Sequence, residues 1–143
     1  MLFRSNVNPL NQQRAILCLL AFTACLLGCQ SNSNDRYKPA SATARKAIET
    51  VLSKWKAGVK YGTIGEATST VIVEEPRWKA GSRLESYEIV EEVPGNEYPR
   101  FKVKLKLAGK PEEICEFLVA GINPPIVYSK EEYDRASGKA SGM

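Results

Sequence analysis

The alternation across Arg100–Leu107 constrains this chain more than any other stretch of it. Phe101, Val103, Leu105 and Leu107 are separated one by one by Lys102, Lys104 and Lys106. Successive side chains of a strand point to opposite faces, so one face of this segment must be buried and the other must meet water. A half-solvated strand of this kind belongs to an antiparallel sheet with something laid over its apolar side. The cover is found from residue 41 onward, where Ala44, Ala47, Ile48, Val51, Leu52 and Trp55 recur at steps of three and four and make one helical stripe. Ser41 or Thr43 can cap its start, Lys54 and Lys56 complement the carboxyl end of its dipole, and Gly58 can close it.

The remaining strands are weaker variants of the same pattern. Residues 58–68 hold Gly58, Gly62 and Gly65 without a sustained period and read as an irregular connection; a phosphate loop is excluded by the missing Lys-Ser/Thr ending. Residues 70–73 read as a short strand ending at Glu75-Pro76. Residues 83–93 place Tyr87, Ile89 and Val93 on one face, with Leu84 at the opposite parity, and a bulge near Glu85-Ser86 reconciles the two. After a turn at residues 108–111, Cys115, Phe117 and Val119 form another apolar face, and residues 126–128 suit a last short strand. The expected fold class is α+β: one amino-terminal helix packed on a curved antiparallel sheet of four to five strands, within residues 41–130. Residues 131–143 are expected to be a polar, disordered tail. Matching like faces pairs Ile89 with Val103 and Tyr87 with Leu105, which sets Glu88 opposite Lys104 and Glu92 opposite Arg100. Pairing Val103 with Phe117 would set Lys104 opposite Glu116.

The first 28 residues follow a different logic. Arg4 and Arg14 precede an uncharged apolar run over residues 15–27, long enough for a secretory signal and short of the roughly 20 residues a spanning helix requires. Leu26-Leu27-Gly28-Cys29 then resembles the lipobox of bacterial lipoproteins, although Leu27 is bulkier than the usual residue. That resemblance implies cleavage before Cys29 and acylation of its thiol with palmitate-type chains. Cys25, after Phe22-Thr23-Ala24, is a poorer alternative, and an unlipidated signal or a retained signal anchor are the others. Residues 29–40, polar and closed by Pro39, would be a flexible lipidated tether. Gln30 rather than Asp after the cysteine favours, by the same analogy, an outer over an inner membrane, with the domain exported from the cytoplasm.

This reading changes the chemistry available. With 28 of 143 residues removed, 115 remain, and the net charge falls from +4 to +2 as Arg4 and Arg14 leave, too mild for a nucleic-acid partner. Cys18 and Cys25 go with the signal and Cys29 goes to lipid, so Cys115 is left as a thiol with no partner in its own chain, expected to be buried and inert. There is no histidine, which excludes Ser/His/Asp and Cys/His nucleophile pairs and leaves no metal set or cofactor site. The lysine row of residues 102–106 reads as a solvated strand face. Glu85, beside the expected bulge, is the one carboxylate whose direction the pattern leaves open, and a general base would have to be a glutamate of that kind.

Trp55-Lys56-Ala57-Gly58, Arg77-Trp78 with Ala80-Gly81, Leu84 and Tyr87, and the Phe101–Leu107 alternation together resemble small lipoproteins of planctomycete-type bacteria, over about residues 42–130. That resemblance implies a helix clasped by a curved sheet, similar to cystatin-like and NTF2-like folds, and brings no activity with it. The enzymes of the NTF2-like group place Asp or His in the cone between helix and sheet, whereas the aspartates here are Asp35 and Asp134, outside the core pattern. Trp55, Trp78, Tyr87, Phe101 and Phe117 are the aromatics that either fill that cone or line a pocket in it. Three functions follow in order: a membrane-anchored, non-enzymatic domain that binds another envelope protein; a carrier or sensor of a small apolar ligand; and an NTF2-like enzyme using a buried glutamate or Tyr87. A filled cone favours the first.

Overall fold

The computed structural model describes residues 36–65, 69–95 and 97–139. The signal segment, Cys29 and the first part of the tether lie outside the described residues, as does the chain from residue 140. Among the described residues no helix is long and apolar enough to cross a membrane.

Helix α1, Ser41–Lys56, buries Ala44, Ala47, Ile48, Val51, Leu52 and Trp55, the whole of the expected stripe. Its start differs from the expected cap. Ala40 stands at the N-cap with no side-chain bond, and the Ser41 hydroxyl donates instead to the Glu92 carboxylate at 2.6 Å. Its end is closed by Gly58 at φ +78, with Gly58 N–H bonding Trp55 O and Val59 N–H bonding Lys54 O, both at 3.0 Å. The left-handed residue in such a closure is one that a side chain would strain.

Strand β1, Ile72–Glu74, is followed by the short helix α2, Pro76–Lys79, then by β2, Leu84–Val93, β3, Arg100–Leu107, β4, Glu112–Ala120, β5, Ile126–Ser129, and helix α3, Lys130–Ala136. The five strands form one sheet in the order β1-β5-β4-β3-β2. The fold is α+β, with one correction: the sheet is mixed, because β1 lies parallel to β5. Strands β2 to β5 make the antiparallel meander. A strand of three residues carries too little pattern to announce its direction.

Register is as expected in β2–β3 up to the second of two shifts. Tyr87 pairs with Leu105, Glu88 with Lys104 and Ile89 with Val103, and the first shift falls between Leu84 and Ser86. A second shift between Ile89 and Glu91 sets Glu92 opposite Phe101 rather than Arg100. In β3–β4, Val103 pairs with Cys115 and Phe101 with Phe117, so Lys104 faces Ile114 and Lys102 faces Glu116. The expected Lys104–Glu116 pairing is therefore displaced by two residues. A slip of two keeps every side chain on its own face, so the hydrophobic pattern cannot detect it. Lys104 is left in ion pairs with Glu88 at 3.4 Å and Glu112 at 3.9 Å; Lys102 pairs with Glu91 at 2.6 Å. Exposed pairs like these contribute at most about 1 kcal/mol each.

The second correction is α3, which stands where a polar tail was expected. It packs on the outer face of β4 and β5, and its Tyr133 meets Tyr98 and Tyr128 edge to face at 6.0 and 5.7 Å. Leu118, whose register partner is Tyr128, is only 2 % exposed. One aromatic in a charged segment makes no stripe. Glu131 and Glu132 in the first turn with Arg135 in the last are, however, the charge order of a helix.

The core lies between α1 and the sheet. Trp55 and Trp78 stack at 5.6 Å and 11°, with their indole N–H groups donating to Ser82 O at 2.7 Å and Val59 O at 3.1 Å. Trp78 sits over the end of α2, where Gly81 at φ +88 lets Ser82 N–H return to Arg77 O at 2.9 Å. Phe101, Phe117, Val103, Leu105 and Ile48 fill the rest and are all buried.

Candidate functional site

The aromatics singled out in the sequence are packed together rather than arrayed around a void. Trp55, Trp78, Phe101 and Phe117 are 2, 5, 1 and 0 % exposed, and Tyr87 is half-buried against the same cluster. Glu85 sits in the first shift of β2 and is exposed to solvent. Among the described residues no three His, Cys, Asp or Glu side chains converge as a metal-ion set. Cys29 lies outside the described residues.

The charged cluster that the sequence did not reveal is centred on Glu75, which is 1 % exposed. Strand β1 stops at Glu74 because Pro76 follows, and Pro76 occupies the first turn of α2, where its fixed φ suits a helix start. Glu75 is thereby the N-cap, and its carboxylate accepts Arg77 N–H at 2.9 Å. The same carboxylate takes Arg77 Nε at 2.7 Å and Nη2 at 3.0 Å, the two-pronged geometry in which arginine binds carboxylates best. Arg77 Nη1 continues to Glu113 at 2.7 Å. Burial acts against the Arg77 charge, but the hydrogen bonds and charge of Glu75 more than offset it, so its pKa lies above the ordinary arginine value. The legible signal was Glu-Pro ahead of a short helical turn; nothing in the sequence showed that this turn would be buried against β4.

Cys115 lies beside this cluster on the inner face of β4. Burial pushes its thiol up to about 11, against the opposing pull of Arg77, and Sγ lies 3.7 Å from Val103 O. The thiolate is the reactive form, so alkylation of the folded protein at pH 8 is expected to be roughly 100-fold slower than for an ordinary thiol, while the unfolded chain should react at the ordinary rate. Timed iodoacetamide labelling with and without denaturant checks this. The sign for stability follows: a thiol pKa raised by folding leaves stability intact below about 9 and withdraws it as pH rises toward about 11.

A groove of about 470 Å³ runs between Arg77, the first half of β4 and the start of α3. Its wall is the stretch of β4 that runs past the end of β5. Val119 N–H bonds Pro99 O on the β3 side, so odd-numbered residues of β4 turn their backbone groups toward β3 and even-numbered ones turn theirs the other way. Leu118 and Ala120 meet β5 at Tyr128 and Ile126. Ile114 and Glu116 lie beyond the end of β5, and no strand faces them there among the described residues. The Ile114 side chain is 62 % exposed. At the far wall, Ser129 is 2 % exposed and its hydroxyl is buried without a hydrogen-bond partner. The arrangement can accept an extended backbone.

Comparison with known proteins finds no matching family, no curated relative and no solved structure. By class the protein is an α+β domain with a five-stranded mixed sheet.

Proposed function

We propose that this chain is an exported lipoprotein, acylated at Cys29, that presents a non-enzymatic domain to another protein of the cell envelope. The observation that carries the reading is the filled interior: Trp55, Trp78 and Phe101 are 2, 5 and 1 % exposed in the space that a ligand carrier or an NTF2-like enzyme would keep open. With that space occupied, binding falls to the surface, and the β4 edge at Ile114 and Glu116 is the part of it built to take a partner. An extended segment bearing basic side chains would pair its backbone there and meet Glu112 and Glu116 on the outer face. A helix laid on an antiparallel meander is the arrangement the resemblance to cystatin-like and NTF2-like folds calls for, and the parallel β1 is a departure from it. Gln30 favours an outer membrane.

The anchor is tested by metabolic labelling with palmitate in a bacterial host. Wild type and Cys25→Ser are expected to take up label and Cys29→Ser to take up none; label retained by Cys29→Ser would overturn the anchor. The interaction is tested with a photo-cross-linker at Glu112 in the anchored protein. Ile114→Pro removes an outward N–H without touching the β3 ladder. It should abolish the adduct with an envelope protein while changing stability by no more than about 1 kcal/mol.

A further inference from the structure

We propose that the end of the domain built from Tyr37, Lys38, Pro39, Tyr98 and Ile122 rests on the headgroup surface of the membrane that holds Cys29, an inference that depends on the anchor reading above. Four elements finish or begin at this end: α1 starts after Ala40, β2 ends at Val93, β3 begins at Arg100 and β4 ends at Ala120. The chain arriving from Cys29 is fastened here, because Gly121 N–H donates to Tyr37 O at 2.8 Å. Tyr37 and Ile122, two of the large apolar residues that the surface exposes, are therefore neighbours, at 63 and 57 % exposure.

The surface next to Tyr37 carries three prolines. A shallow groove of about 740 Å³ is lined by Pro39, Pro94 and Pro99 together with Val93 and Tyr98. Proline carries no N–H, so these three positions bring no backbone donor that lipid would strand. Tyrosine is the side chain suited to the boundary between headgroups and acyl chains. The charges at this end lean positive. Glu97 is neutralised by Lys139 at 2.8 Å, and Glu92, which accepts from the Ser41 hydroxyl at 2.6 Å, keeps its negative charge, against Arg36 and Lys38, which have no ion-pair partner among the described residues. Two free cations beside exposed apolar side chains suit an anionic headgroup layer.

Chain length selects the occupant. Arg36 is seven residues beyond Cys29, a covalent reach of at most about 25 Å. A domain of this size is about 34 Å across. An anchor at Cys29 can therefore bring this end to the bilayer but not the opposite one, where the turn at Gly109 and Lys110 lies. Tethering at that distance also makes a weak surface affinity sufficient, since the domain never diffuses away.

The test uses the acylated full-length protein, matured in a bacterial host and reconstituted in vesicles of phosphatidylethanolamine and phosphatidylglycerol. A nitroxide is attached at Ile122→Cys and, in a second preparation, at Lys110→Cys, both exposed positions, and its collisions with oxygen and with a water-soluble nickel chelate are compared. The expected result is at least a threefold lower nickel accessibility at Ile122 than at Lys110, with the oxygen signal raised. Tyr37→Ser is expected to narrow that difference. Equal, fully aqueous accessibility at both positions in protein that stays vesicle-bound would overturn the inference while leaving the anchor intact. A label at Ile122 that is aqueous on pure lipid but shielded in whole envelopes would assign this end to a protein partner and overturn it as well. Failure of the chain to take up palmitate would remove the anchor reading itself, a distinct outcome read before reconstitution.

Discussion

Trp55→Ala is expected to lower the unfolding free energy by about 3–5 kcal/mol, the range for deleting a large buried aromatic. The ring is 2 % exposed, lies flat against Trp78 at 5.6 Å and donates to Ser82 O at 2.7 Å. Its removal therefore subtracts apolar burial, a stacking partner and one satisfied carbonyl together, and the surrounding β-sheet is too rigid to collapse into the space. Since small domains are stable by only about 5–15 kcal/mol in total, the variant should sit near its unfolding threshold at physiological temperature. Trp55→Phe keeps most of the area and loses the N–H bond, and should cost about 1–2 kcal/mol. Denaturant titration followed by circular dichroism measures both. A loss below about 1 kcal/mol for Trp55→Ala would mean that the stack does not seal the interior, and the case against an internal ligand would go with it.

Arg77→Met is expected to destabilise by a comparable amount, about 3–5 kcal/mol, for an electrostatic reason rather than a packing one. Glu75 at 1 % exposure has its carboxylate held by Arg77 Nε, Nη2 and N–H at 2.7, 3.0 and 2.9 Å. Methionine leaves only the last of these, and a buried negative charge is stranded. The cost belongs to the stranded charge, not to the value of the pair, so the double variant Glu75→Gln/Arg77→Met should recover most of the loss. If instead the two single losses simply add in the double variant, Glu75 and Arg77 are not coupled as their geometry requires. Glu113, the exposed end of the chain of charges, should matter far less, about 1 kcal/mol or below for Glu113→Ala. Its substitution would free Arg77 Nη1 at the wall of the β4 groove.

Much of the fold was legible because two periods are strong in this chain. The step of three and four in α1 named all six of its buried residues, and the alternation in β3 named Phe101, Val103, Leu105 and Leu107, each at 1 % exposure or less. The parity break at Leu84 marked the first irregularity of β2 in the right place. The second, at Val90, was missed although the alternation breaks there: apolar Val90, 47 % exposed, takes the polar parity and Glu91 the apolar one. Helix α3 was missed for the opposite reason: its helicity is carried by charge order and one tyrosine, with no stripe to count. The Glu75–Arg77 cluster was missed because a carboxylate beside a proline is ordinarily a solvated turn, and only packing against β4 makes it otherwise.

What the sequence determined by itself is the content of each face: which side chains of α1 and of the long strands turn inward, and therefore that the inner layer would be aromatic and aliphatic. A period of 3.6 or of two is a local property, and burial follows from it wherever the element lands. What only the tertiary structure decided is how those faces meet. Pairing of β4 two residues from the expected register, the parallel entry of β1 and the burial of Glu75 all leave every local pattern unchanged. They are settled by turn length, by the room left at the sheet margin and by what Arg77 can reach, and those quantities exist only once distant segments are in contact.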